Sequence, residues 1–208
     1  MTPEAGESLV RQELDPLCEG GNGWACFRLS RLVGWYSTDE EISRRSLVEL
    51  ERGCKVGFAP ACFFAARSLF NLRKTPEEYL RALDMMERAC DLDSSSPLPC
   101  QSAASASFYP RDKTIPSNPA RATRLYALAC ERGIPGDCAF AAHAYEVGRD
   151  VRVDVGKARH LYELGCEMDE GDACIGLSEM IMDGLGGPED PELAASFAKR
   201  ACDIAYMH

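Results

Sequence analysis

Residues 121–174 read RATRLYALACERGIPGDCAFAAHAYEVGRDVRVDVGKARHLYELGCEMDEGDAC, and the fold class follows from them. One pattern occurs twice: an apolar-periodic stretch running into Cys130, a short turn, and a second stretch opening at Cys138, then the same parts again around Cys166 and Cys174. The step is thirty-six residues. Outward from this segment, first cysteines fall at Cys18, Cys54, Cys90, Cys130, Cys166 and Cys202, and second cysteines at Cys26, Cys62, Cys100, Cys138 and Cys174. The step lengthens only between Cys90 and Cys130. A fixed period of this size marks an array of supersecondary units that bury their apolar faces against one another.

Both halves of each unit read as helix. Eight residues before the first cysteine stands Ala82, Ala122, Ala158 or Ala194, with Ser46 in the remaining copy, and Gly or Ala directly precedes Cys54, Cys90, Cys130, Cys166 and Cys202. Five before it stand Met85, Leu125, Leu161 and Phe197, at the spacing of one buried helical face; Glu49 breaks the series, and Leu50 is expected to take over there. Gly21, Gly57 and Gly133 follow their cysteines by three residues and mark a turn. Gly148 and Gly184 suit helix C-termini, and Pro191 suits a first turn. No segment alternates long enough for a strand. The reading is all-α: an α-solenoid of stacked helix-turn-helix units forming one array over 1–208, with five to six repeats, the last incomplete.

A cysteine ending one helix and another opening the next face each other across a tight hairpin, within reach of a disulfide. The expected pairs are Cys18–Cys26, Cys54–Cys62, Cys90–Cys100, Cys130–Cys138 and Cys166–Cys174, leaving Cys202 unpaired. Zinc sites favour about two to four residues between paired cysteines, a spacing that none of these pairs has. Buried free thiols are the other reading of the same spacing, because cysteine is also a good small core residue. The place for a partner of Cys202 lies beyond His208, so the pattern reads as a chain cut within a repeat.

A helix ending Ala-Cys, a glycine-bearing turn, then Ala-Cys opening a second helix resembles the Sel1-like repeat family, and within it the cysteine-rich bacterial proteins first described from Helicobacter. The resemblance runs from about Pro3 to His208 and is most specific between Arg121 and Cys202. It implies a right-handed superhelix with one disulfide per hairpin and a concave surface lined by the second helices. It also implies a role in holding other proteins, as adaptor, assembly factor or immunity protein. Some relatives are linked to penicillin binding and weak β-lactamase activity.

A formal charge of −10 argues against nucleic acid or an anionic membrane surface as partner. No stretch is long and apolar enough for a transmembrane helix, and residues 1–18 lack the basic start and apolar centre of a secretory signal. Disulfides persist mainly in oxidising compartments. The expectation is therefore a periplasmic or secreted monomer without its signal.

Catalytic motifs are nearly absent. His143, His160 and His208 lie in no metal or nucleophile motif, and no cofactor or metal is expected. Ser196-Phe-Ala-Lys199 matches the S-x-x-K of penicillin-interacting serine enzymes, without the companion motifs. This keeps a weak β-lactamase as the alternative to a binding module. A thiol–disulfide redox role is a third reading, with Cys90–Cys100 the pair expected to be most labile.

Within the second helices, offsets three and four from the cysteine (Leu29, Ser30, Ala65, Ala66, Ala141, Ala142, Leu177, Ser178) are packing positions. Offsets two, five and nine form a stripe that changes from copy to copy: Arg28, Arg31 and Trp35; Phe64, Arg67 and Asn71; Ser102, Ser105 and Tyr109; Phe140, His143 and Val147; Gly176, Glu179 and Asp183. Solvent-facing drift would also produce such variation. The candidate partner-binding residues are Arg28, Arg31, Trp35, Phe64, Arg67, Asn71, Tyr109, Phe140, His143 and Glu179. The first two copies concentrate aromatic and Arg side chains, the types that dominate interface hot spots, and suggest an acidic or extended peptide segment as the ligand.

Overall fold

The computed structural model describes residues 3–34, 39–72, 75–111 and 113–207. Among these residues there is no strand. The helices are α1 (Pro3–Glu19), α2 (Gly23–Val33), α3 (Glu40–Lys55), α4 (Ala59–Leu72), α5 (Pro76–Leu92), α6 (Leu98–Phe108), α7 (Pro119–Glu131), α8 (Pro135–Val147), α9 (Val155–Glu167), α10 (Gly171–Met182) and α11 (Pro191–Met207). They fall into two compact units, α1 to α5 and α6 to α11. Within each unit every helix packs on the next in the chain, as in stacked hairpins.

The turns explain the cysteine spacing. Gly21, Gly57 and Gly133 have φ of 90°, 89° and 100°, in the region only glycine occupies freely. Their N–H groups donate to the carbonyls of Cys18, Cys54 and Cys130 at 3.0, 3.0 and 2.9 Å. In the fourth such turn Asp169 takes this place, with φ 59° and an N–H bond of 3.1 Å to the Cys166 carbonyl. The second helix then starts where its cysteine meets the first. Cys18–Cys26, Cys54–Cys62, Cys130–Cys138 and Cys166–Cys174 are disulfides with Cα separations of 4.8, 4.4, 4.8 and 4.6 Å. Cys90 and Cys100 are disulfide-bonded as well. Cys202 is free and exposed.

The Cys18–Cys26, Cys54–Cys62 and Cys130–Cys138 bridges also meet the first helix of the following hairpin. Cys54 and Cys62 form one apolar cluster with Ala89 of α5, flanked by Phe63 and Met85. At the equivalent place in α9, Gly165 is seated so closely that a Cβ there would lie 2.6 Å from the Ala173 Cβ and 2.7 Å from the Cys138 Cβ. Gly53 of α3 is wedged likewise, 2.7 Å from the Ala61 Cβ and 3.3 Å from the Cys26 Cβ.

The small-residue positions are buried as their spacing requires. Ala82, Ala122, Ala158 and Ala194 have no exposed surface. Ser46 is buried too, and its hydroxyl donates to the Ser30 carbonyl at 3.1 Å, which satisfies a polar atom where the other copies have methyl groups. The large apolar face takes in two adjacent positions. Leu125 and Leu161, five before the cysteine, are buried as their spacing requires, and so are Leu50, Met86, Tyr126 and Tyr162, four before it, whereas Met85 and Phe197 are only partly buried. Leu50 takes the buried place beside Glu49 as expected, and Glu49 pairs with Arg52 at 2.9 Å.

Candidate functional site

On the first unit, α2 and α4 present a continuous aromatic and cationic surface. Phe27 bridges the two helices, with its ring 5.6 Å from Phe64 and 5.8 Å from Phe58. Phe64 in turn meets Phe63 edge-on at 5.3 Å. The guanidinium of Arg67 lies 5.6 Å from each of these last two rings, and that of Arg28 lies 5.5 Å from Trp24. Exposed cation–π contacts of this kind are worth about 0.5 to 1 kcal/mol each, enough to hold the guanidinium groups in place without removing their charge from solvent. Arg31, in the last turn of α2, and Asn71, near the end of α4, are exposed as well. Trp35 lies outside the described residues.

The rings that organise this surface are mostly not those of the predicted stripe. Phe27 and Phe63 directly follow Cys26 and Cys62, and Trp24 stands two before Cys26. That Cys-Phe doublet in the first two copies, replaced by Gln101, Ala139 and Ile175 in the others, is the signal in the sequence that marks them.

On the second unit the stripe residues have different company. Tyr109, 68% exposed, meets Phe108 edge-on at 4.6 Å, and Phe108 meets Phe140 at 5.1 Å; Phe140 meets Tyr126 at 4.7 Å. Tyr126 is held by Ser105, oxygen to oxygen at 3.1 Å, and burial raises its hydroxyl pKa. His143 Nδ1 lies 3.6 Å from Glu146 Oε2, which accepts the Tyr162 hydroxyl at 3.0 Å. Burial first, and then the Glu146 charge, push the Tyr162 pKa up. Glu179 is exposed on α10. Gly176 departs from the stripe: it is buried because the Tyr162 ring lies over it, and a methyl group there would collide with that ring.

One charged group is buried beneath this face. Asp137, 8% exposed, stands immediately before Cys138, where the other copies have Ala25, Ala61, Pro99 and Ala173. Gln101 donates to its Oδ1 at 3.4 Å, and Oδ2 has no hydrogen-bond partner. Burial pushes its pKa from 3.8 up to about 6, against the opposing effect of Gln101. The neutral acid is the form that suits the fold, so stability is greatest below the ordinary carboxylate range and falls as pH rises towards 6. Asp137→Asn is therefore expected to stabilise the chain by about 1 to 2 kcal/mol above about pH 6, allowing for residual screening, and to change little near pH 4. Urea denaturation of both proteins across this range checks the sign and the window.

Ser196 and Lys199 are exposed on α11, and the Ser196 hydroxyl donates to the Leu193 carbonyl at 2.6 Å. Among the described residues no group of three His, Cys, Asp or Glu side chains could hold a metal ion, and no helix is long and apolar enough to cross a membrane.

Comparison with known proteins agrees with this geometry. The family profile described as Sel1 repeat matches residues 59–94, 104–134, 138–170 and 171–205, well over half the chain. The first and last of these stretches each join a second helix to the next first helix: α4 with α5, and α10 with α11. Human cytochrome c oxidase assembly factor 7 is 35% identical over 82 residues, 35% of each chain. The structure of a protective antigen from uropathogenic Escherichia coli superposes with a TM-score of 0.56 at 19% identity, over 92% of this chain and 40% of that one. The cysteine rich protein B of Helicobacter pylori gives a TM-score of 0.43 at 24% identity, over 63% of this chain and 92% of that one. The chain thus spans little more than a third of the human relative's length. With its helical hairpins, its disulfide-bonded cysteines and this match, the chain belongs to the Sel1 repeat family, whose repeats are protein-interaction modules.

Proposed function

We propose that the chain is a non-enzymatic binding module that grips a protein partner on the second-helix face, with the α2–α4 surface holding an acidic segment. The arrangement of Arg67 over Phe63 and Phe64, joined to α2 through Phe27, is the observation that carries this reading. Exposed guanidinium groups anchored on aromatic rings lose little freedom when they bind a carboxylate, so their binding energy is not spent on ordering. On the second unit the candidate contacts are Tyr109, Phe140, His143 and Glu179, as a surface of its own. An assembly or adaptor role accords with the name of the human relative. The buried bridges suit an oxidising compartment.

The test is partner capture by the chain beside an Arg28→Ala, Arg31→Ala, Arg67→Ala triple variant. The three side chains are exposed, so the variant should melt close to the parent. Its affinity for a captured protein is expected to fall by about tenfold or more, with a weaker salt dependence. Equal capture by the two proteins would refute the assignment.

A further inference from the structure

The buried acid of the second unit belongs to a polar and aromatic cluster of its own. Asp137 and Phe140 are one helical turn apart on α8, and Gln101, Ser105 and Phe108 recur at helical spacing on α6. The two rows meet side chain to side chain. Gln101 donates to Asp137 Oδ1 at 3.4 Å, and Phe108 meets Phe140 at 5.1 Å. Ser105 lies 3.1 Å from the Tyr126 hydroxyl, and the Tyr126 ring meets Phe140 at 4.7 Å. After burial, the charge of Asp137 is a further cause that raises the Tyr126 pKa, so the carboxylate, the phenol and the rings share one neighbourhood. Tyr109, 68% exposed and edge-on to Phe108, carries this cluster out to solvent.

Packing alone does not call for an acid at this place. The equivalent positions hold Ala25, Ala61, Pro99 and Ala173, and Gln101 stands where the first two copies have Phe27 and Phe63. Asp137 is only 8% exposed, its Oδ2 has no hydrogen-bond partner, and its Oδ1 accepts a long bond from a neutral amide. A buried carboxylate matched so poorly weakens the fold when it ionises, and a cation is the group that would satisfy it. The neighbouring rings favour the same ligand, because aromatic faces attract positive charge. Gln101 is itself partly exposed, so its amide can yield the Oδ1 side to an incoming donor.

We infer that this cluster binds a lysine side chain of a partner protein, with the ammonium group on Asp137 and the aliphatic stem against Tyr109, Phe108 and Phe140. Charge complementarity selects the occupant: an unpaired buried carboxylate beside aromatic rings, on a chain of net charge −10. The inference rests on the reading of the chain as a binding module. It gives the second unit a ligand opposite in charge to the one proposed for the α2–α4 surface.

Fluorescence anisotropy in about 0.15 M salt tests it, with a fluorescein-labelled peptide of about ten residues carrying lysines between small polar residues. A second peptide carries norleucine for lysine, and a third glutamate. Saturable binding of the lysine peptide alone is expected. It should weaken by about tenfold in Asp137→Asn and separately in Tyr109→Ala, and persist in Asp203→Asn, which removes the same charge from an exposed place on α11. Asp137→Asn keeps the shape of the side chain and is expected to be at least as stable as the parent, so lost binding there is not lost folding; thermal melts check this for all three variants. No saturable binding, indifference to Asp137→Asn, or an equal loss in Asp203→Asn would overturn the inference. Any of these results with partner capture intact would remove this site and leave the binding module standing.

Discussion

Gly165→Ala is expected to destabilise the second unit by about 2 to 3 kcal/mol, the upper part of the usual range for overpacking a close contact. The added methyl group would meet the Cβ atoms of Ala173 and Cys138, which are fixed to helix backbones and cannot swing aside. Relief requires α9 to move away from both α8 and α10. Alanine is tolerated at the same register in α5, α7 and α11, as Ala89, Ala129 and Ala201. Those helices must therefore stand farther from their neighbours at this point, because real Cβ atoms do not approach so closely. A urea midpoint lowered without a change in slope is the expected observation, and an unchanged midpoint would show that the hairpins can slide apart at no cost.

Removing a bridge should have an effect of similar size by a different route. The Cys54–Cys62 disulfide closes a loop spanning a sequence separation of 8, for which the chain-entropy estimate is about 2.5 kcal/mol. Cys54→Ala with Cys62→Ala is the informative case, because Ala89 and Met85 pack against that pair. Losing two buried sulfur atoms opens space beneath α5, and the total is expected to reach about 3 to 4 kcal/mol. Comparing the double variant with the parent, both fully reduced, isolates the packing contribution, since every loop is then open in both, and the remainder of the difference between the oxidised forms is the loop. Equal stability of the two reduced proteins would show that packing contributes nothing.

The hairpins are legible in the sequence because a bridge, a turn and a buried helix face all demand the same register, and the cysteine period displays it. What is not legible is how far each helix is rotated about its axis. One residue is about 100° of rotation, so the spacing that marks Leu125 and Leu161 as buried does not announce that Met86, Tyr126 and Tyr162, one position later, are buried as well, or that Met85 and Phe197 are only partly covered. Gly176 was misplaced for a related reason: its partner, Tyr162, belongs to the preceding helix, and no local pattern announces that a ring fourteen residues earlier will cover it. The candidate surface shows the same division. Arg28, Arg31, Phe64 and Arg67 follow from the variable stripe, whereas Phe27 and Phe63 are marked in the sequence only by the Cys-Phe doublet, and their ring contacts form only when α2 and α4 pack side by side. Asp137 is not legible in the sequence because its peculiarity is burial, and a lone acidic residue at the start of a helix ordinarily faces water.

The position of the bridges gives the chain a set of internal clocks. None of the four bridges Cys18–Cys26, Cys54–Cys62, Cys130–Cys138 and Cys166–Cys174 has a cysteine more than 4% exposed, whereas Cys202 lies open to solvent. A reductant can reach a buried sulfur only while the covering helix has lifted. The interval between labelling of Cys202, which needs no such event, and the appearance of thiols at each pair therefore reads out how often that particular hairpin opens in the native protein.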